Sequence, residues 1–132
     1  MQRSRIRINK NIENALSEIL KSRARSRIYL YLLIQNGAKT EQIIKATKLH
    51  PSTVRETLSR MYTERIINRK KLKNGSIGKN PYLYYATAPR IVLQQYVNDI
   101  ELKLNKIANL TVPKKNKQYV HITINERGKE TW

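Results

Sequence analysis

Residues 37–58 read Gly37-Ala38-Lys39-Thr40-Glu41-Gln42-Ile43-Ile44-Lys45-Ala46-Thr47-Lys48-Leu49-His50-Pro51-Ser52-Thr53-Val54-Arg55-Glu56-Thr57-Leu58. This stretch holds two helical patterns and a tight link. Thr40 is a candidate N-cap for a short helix over 41–47, with Glu41 in the first turn, where the helix dipole favours negative charge. Ile43, Ile44 and Ala46 supply its apolar side. Lys48-Leu49-His50 form the link. Pro51 then takes a first helical position, where its missing N–H costs nothing. The helix that follows, 51–63, buries Val54, Leu58 and Met61.

Upstream, residues 24–35 form an apolar helix around Ile28, Tyr29, Leu32 and Leu33. Asn36-Gly37 ends it, with Gly37 expected in the left-handed position. Residues 11–22 form another helix, with Ile12, Leu16, Ile19 and Leu20 on one face and Asn9 or Asn11 as its cap. Downstream, Arg65-Ile66-Ile67-Asn68-Arg69-Lys70-Lys71-Leu72 is β-branched and basic. The loop 74–81 contains Gly75, Gly78 and Pro81, and Tyr82-Leu83-Tyr84-Tyr85-Ala86-Thr87 has strand composition. Strand, glycine-containing basic loop and strand make a β-hairpin with a long tip, which Pro89 stops. In residues 90–110, Leu93, Val97, Ile100, Leu104 and Ile107 form two heptads of an a/d seam. Pro113 ends that pattern. Residues 118–125 alternate, with Val120, Ile122 and Ile124 on one face, as a strand would.

Helix, short helix, tight turn, helix, hairpin is the order of a winged helix-turn-helix. Residues 37–58, followed by Arg65-Ile66-Ile67 and the segment ending Tyr82-Leu83-Tyr84-Tyr85-Ala86, resemble the winged-helix regulators of archaea and bacteria. That broad group includes the ArsR-, MarR- and TrmB-type families, and the likeness covers roughly residues 24–90. It implies a mainly α fold with a small β-hairpin (α+β) and a DNA-binding role, with residues 51–63 as recognition helix. The sequence departs from the pattern after that helix, where Glu64-Arg65 replace the usual glycine, so this turn is expected to be built differently. The expected organisation is a basic arm and N-terminal helix (1–23), a winged helix-turn-helix (24–90), a dimerisation helix (91–110) and a basic tail with a strand (111–132).

Helical geometry supports this assignment. Stepping about 100° per residue from Val54, Leu58 and Met61 stay within about 40° of it, while Ser52, Glu56, Ser59 and Thr63 fall between about 140° and 200°. The outward face is therefore small and polar. Ser52, Thr53, Arg55 and Glu56 lie at the helix N-terminus, the part that meets base edges in a major groove. Arg55 has the chemistry to read guanine O6 and N7, and Glu56 to accept from cytosine N4. The alternative is that both are ordinary solvated residues. Ser59 and Arg60 extend the same surface. Arg69, Lys70, Lys71, Lys73 and Lys79 cluster on the hairpin, for phosphate or minor-groove contact. Tyr82, Tyr84 and Tyr85 are expected to pack the hairpin and not to stack bases. Arg3, Arg5 and Arg7 form an arm with the reach of an adjacent minor groove, or else a free basic tail.

Charge narrows the partners. Over 132 residues, 27 Lys and Arg oppose 9 Asp and Glu, a net charge of +18. Such a surplus favours a polyanion, above all nucleic acid. It is uneven: residues 1–27 carry 8 basic and 2 acidic side chains and residues 64–90 carry 7 and 1, whereas residues 91–110 carry 2 and 2. The neutral block is the one suited to face protein. Its seam is expected to form a homodimer, or else to pack on helix 11–22 of the same chain.

With no cysteine, disulfides and thiol chemistry are excluded. His50 and His121 stand alone, so no metal or cofactor is expected. No apolar run is long enough to span a membrane, and Met1-Gln2-Arg3-Ser4-Arg5 lacks a signal-peptide core. No phosphate-binding glycine motif or nucleophile–base spacing is present, so no enzyme is expected; His50 suits a helix cap. The expected function is a cytoplasmic, nucleoid-associated transcription regulator that binds double-stranded DNA as a homodimer. The alternatives are an architectural duplex-binding protein and a winged-helix module that docks on other proteins. RNA binding and peripheral membrane binding are more distant.

Overall fold

The structure, a computed structural model, describes residues 9–72 and 82–126. The chain divides into two compact units, Met1–Ala88 and Pro89–Trp132.

The first unit begins with helix α1 (Lys10–Leu20). Asn9 caps it, its Oδ1 accepting from the Ile12 N–H at 3.0 Å. α1 packs on α2 (Arg23–Gln35), which Ser22 caps through the Arg25 N–H at 3.2 Å. α2 is the central helix of the unit, with Ile28, Tyr29, Leu30 and Leu32 all buried. Its end differs from expectation. Asn36, not Gly37, takes the left-handed position at φ 58°, because the asparagine amide tolerates it. Gly37 follows at φ 117°, beyond the range of an L side chain.

α3 (Thr40–Thr47) starts one residue earlier than expected, and Lys39 is its N-cap. Thr40 is buried instead of capping. Gln42 reaches back, its Oε1 accepting from the Lys39 N–H at 2.8 Å. α4 (Pro51–Thr63) has the expected bounds. Val54, Leu58 and Met61 are buried against Ile28, Leu32, Ile43 and Ile67, which make the centre of the core.

The turn after α4 corrects another expectation. Arg65 adopts φ 64°, the conformation the usual glycine would supply. The turn is thus built in the common way, closed by the Ile66 N–H donating to the Met61 carbonyl at 2.9 Å, with an arginine carrying the strain.

Strands β1 (Ile67–Lys71) and β2 (Tyr82–Ala86) pair antiparallel, with Arg69 opposite Tyr84. A third, single-residue rung joins them from the α2–α3 link: Ala38 and Tyr84 exchange both backbone hydrogen bonds at 2.9 Å. The hairpin base is anchored to α2 by the Tyr29 hydroxyl, which donates to the Thr87 carbonyl at 2.6 Å. Burial pushes the Tyr29 pKa up to about 12.

The second unit is built on α5 (Pro89–Ala108). Pro89 both stops the hairpin and opens this helix, as proline does at a first turn. After a 3-10 turn at Lys114–Asn116, the chain runs back along α5. Residues 118–125, expected as a strand, join no sheet among the described residues. Helix side chains take their backbone groups instead. Asn109 donates to the Gln118 carbonyl at 2.7 Å and accepts from its N–H at 2.8 Å. Asn105 does the same for Val120, donating to its carbonyl at 3.2 Å and accepting from its N–H. The His121 ring lies 3.1 Å from the Glu101 carboxylate.

Candidate nucleic-acid interface

The start of α4 is fixed by His50 and Pro51. The His50 Nδ1 accepts from the Ser52 N–H at 3.2 Å and lies 2.7 Å from the Ser52 hydroxyl. His50 is therefore the N-cap of α4. With Val54, Leu58 and Met61 pinned in the core, the opposite face must point outward. Ser52, Thr53, Arg55, Glu56, Ser59 and Arg60 are all exposed there.

This face has two flanks. Toward the α1–α2 corner, Thr53, Glu56 and Arg60 line one wall of a cleft of about 500 Å³, and Lys21, Ser22 and Arg25 line the other. Glu56 and Arg60 pair across one helical turn at 2.9 Å, so their charges partly cancel. On the opposite flank lie Arg55, Ser59 and Tyr62, each three or four residues from the next and hence on one stripe. Arg55 takes part in no ion pair among the described residues and presents an unopposed cation.

The cleft ends at a bidentate pair. The Arg25 guanidinium donates to both Glu64 carboxylate oxygens, at 2.9 and 2.7 Å. That hydrogen bonding holds the Glu64 carboxyl below its ordinary value and raises Arg25. On the cleft side four of the charges are thus paired, Glu56 with Arg60 and Glu64 with Arg25, and Lys21 is left in surplus, while the other flank carries Arg55 and the wing adds Lys70 and Lys71.

On the wing, Lys70 and Lys71 are exposed as expected. Arg69 is placed differently: its guanidinium carbon lies 4.0 Å from the Tyr62 ring centroid and 4.2 Å from that of Tyr82. Tyr82 in turn tilts against Tyr84, centroids 6.2 Å apart, and Tyr84 is buried. Tyr62 escaped the sequence reading. Its one signal is its place on the Arg55 stripe of α4. Lys73 and Lys79, and the arm residues Arg3, Arg5 and Arg7, lie outside the described residues.

A family model described as TFIIE alpha subunit matches residues 14–110. The chain belongs to the TFIIE alpha subunit family. The TFIIE alpha match runs from within α1 to just past the end of α5, taking in the winged helix and leaving the returning tail outside. Among solved structures, the chain is similar to a possible transcriptional regulator from Methanosarcina mazei Go1, with a TM-score of 0.59 at 19% identity. That likeness covers 77% of this chain and 89% of the other, and it shows a shared fold. No curated protein matches the sequence significantly. The fold is a winged helix within a transcription-related family.

In the second unit, the five seam positions lie on α5. Leu93, Leu104 and Ile107 are exposed, Ile107 at 66%, while Val97 and Ile100 are half-buried. α1, which needs a partner for its own apolar face, finds it in α2. Among the described residues, no group of three or more acidic, His or Cys side chains is placed to hold a metal, and no helix is long and apolar enough to cross a membrane.

Proposed function

We propose that the protein is a DNA-binding transcription regulator that lays α4 in the major groove and the β1–β2 wing on the backbone or in the minor groove. One observation carries this reading. A helix locked to the core by Val54, Leu58 and Met61 turns an exposed face of Ser52, Thr53, Arg55 and Ser59 outward, flanked by a basic hairpin with Lys70 and Lys71. A major groove about 12 Å wide admits such a helix. The net charge of +18 supplies the attraction to phosphate. The reading includes a homodimer through the α5 seam, supported by its neutral charge and exposed leucines. It implies a cytoplasmic, nucleoid-associated protein that needs no cofactor and performs no catalysis. The likeness to ArsR-, MarR- and TrmB-type regulators belongs to this finer reading.

The test is a duplex titration at several salt concentrations, joined to selection of bound fragments from random DNA. Contact with ~6–10 phosphates gives a slope of log K against log salt of roughly −5 to −9. A specific regulator prefers its site by ~10³-fold or more. A steep slope without preference would mark an architectural protein instead.

A second reading has its own support. The matching family is named for a subunit, and the Glu56–Arg60 pair leaves half of the α4 face without net charge. Both suit a winged helix that docks on other proteins of a transcription assembly. In that case duplex binding is weak and replacing Arg55 leaves it unchanged.

A further inference from the structure

Strand β1 alternates about the hairpin plane, so Ile67, Arg69 and Lys71 share one face and Asn68 and Lys70 the other. Ile67 is fully buried in the core. Arg69 is therefore the next residue outward on the core-facing side, where an apolar side chain would continue the packing. The chain has placed a cation there and enclosed it. Its flat guanidinium lies between the ring of Tyr62, in the last turn of α4, and the ring of Tyr82, diagonal to it on β2. The guanidinium carbon thus lies over two rings at once and Arg69 is half-buried, unlike the exposed Lys70 and Lys71.

We infer that Arg69 is a positioning residue: sandwiched between Tyr62 and Tyr82, it joins the recognition helix to the wing and sets the two at one angle, so that both meet DNA together. The inference rests on the DNA-binding reading of α4 and the wing. Among the described residues, the two-stranded hairpin has a single-residue third rung at Ala38, on Tyr84 in the middle of the ladder and level with Arg69, and no further strand. A hairpin of this kind is weakly held unless something packs on it. The contact of Arg69 with Tyr62 and Tyr82 provides that hold, level with the rung and, through Tyr82, one pair of residues beyond it. It requires arginine specifically, because a planar, delocalised cation stacks on two rings at once and an ammonium does not.

The experiment uses the full chain and four variants: Arg69→Ala, Arg69→Lys, Tyr62→Ala and Tyr62→Phe. Tyr62 is 39% exposed, so its truncation leaves the core intact, and thermal unfolding checks this. Amide hydrogen exchange is followed first in the free protein. Loss of the sandwich is expected to speed exchange of the β1 and β2 amides by roughly tenfold, the equilibrium effect of about 1.4 kcal/mol from two ring contacts. Arg69→Ala, Arg69→Lys and Tyr62→Ala should all show it, Tyr62→Phe should not, and the amides of α2 and α4 should be unaffected.

Duplex affinity is measured next across salt concentrations. The same three variants should lose a similar factor, and removing charge at Arg69 should leave the salt slope unchanged. Two results overturn the inference. One is hairpin exchange that is indifferent to Tyr62→Ala. The other is a wild type that binds duplex while Tyr62→Ala binds equally well, with Arg69→Lys normal and Arg69→Ala lowering the slope by about 1, which is the signature of a phosphate contact. A wild type that binds no duplex sinks the DNA reading itself and the positioning role with it.

Discussion

Arg25 and Glu64 clasp each other through two hydrogen bonds, and in doing so tie the first turn of α2 to the C-cap of α4. The pair is distant in sequence and sits where the recognition helix hands over to the wing. Arg25 is mostly covered while Glu64 is half exposed, so solvent screens the attraction. Arg25→Ala or Glu64→Gln should cost about 1 kcal/mol, a value at the upper end for a screened pair because the geometry is bidentate. The expected readout is a fall of about 4–8 °C in the melting temperature of a unit this size.

Acid should expose the same clasp. Hydrogen bonding from Arg25 lowers the Glu64 carboxyl from its ordinary 4.5. A carboxyl depressed in the folded state adds stability that is complete above its unfolded value and lost as pH falls through the folded one. Melting curves from pH 7 to pH 3 should show this loss in the wild type, and a shallower one in Arg25→Ala. Equal slopes would mean that the pair adds nothing in solution.

Three helix ends of the first unit place a basic side chain in the left-handed region: Lys21 at φ 61°, Lys48 at 58° and Arg65 at 64°. Each carries a steric cost that glycine avoids. Lys48→Gly and Arg65→Gly should each stabilise the protein by about 0.5–1 kcal/mol, after allowance for the greater freedom of glycine in the unfolded chain. Calorimetry would show higher melting temperatures; lower ones would show that these side chains hold something more valuable than the strain.

These positions also mark where the sequence could and could not be read. α4 was legible to the residue because Pro51 starts it and Val54, Leu58 and Met61 keep one face. The turn at Arg65 was not, because propensity expects glycine there, and backbone geometry prevailed over it. Lys39 displaced Thr40 as the cap because burial claimed the threonine. The Ala38–Tyr84 rung has no sequence signature, since a single pair has no period. Arg69 was read by its charge alone, because its two partners come from different elements. Asn105 and Asn109 carry no sequence signal, since the backbone they hold belongs to a segment whose alternation reads as a strand.

Reading of bases and holding of the backbone should separate by mutation. Arg55→Ala is expected to cost ~1–3 kcal/mol on a preferred duplex and to relax the preference at one base pair. Lys70→Ala combined with Lys71→Ala should weaken all sequences alike and lower the salt slope by about 1 for each phosphate that is no longer neutralised. Competition titrations on preferred and scrambled duplexes measure both. If Arg55→Ala weakens the two duplexes equally, that residue reads no base.

The α5 seam is tested by charge. Ile100→Glu together with Leu104→Glu would bury carboxylates in a paired seam, at a cost of several kcal/mol. Sedimentation should then give a monomer with its winged helix still folded, where the wild type gives a dimer. A wild type that sediments as a monomer removes the homodimer from the proposed function.

The returning tail should depend on two asparagines. Asn105→Ala with Asn109→Ala removes four hydrogen bonds to the backbone of Gln118 and Val120. Amide exchange and limited proteolysis should rise sharply over residues 117–122, with α5 still helical by circular dichroism. Unchanged protection would place the hold elsewhere, in the half-buried side chains of Val120 and Ile122.

That pair of asparagines works as a vernier. Four residues of helix advance about 6.0 Å, while two residues of extended chain advance about 6.6 Å. The scales nearly agree over one step, which is why Asn109 meets Gln118 and Asn105 meets Val120 through the same two backbone atoms. They drift apart on the next. One turn further along the helix stands Glu101, and it meets the ring of His121 and not the backbone of Ile122. A carboxylate only accepts, so Glu101 cannot both donate to a backbone carbonyl and accept from its N–H as the two amides do. The length of such a seam is thus set by how many amide side chains recur at one-turn spacing, as well as by the small mismatch between the two repeats, and it ends here after two rungs.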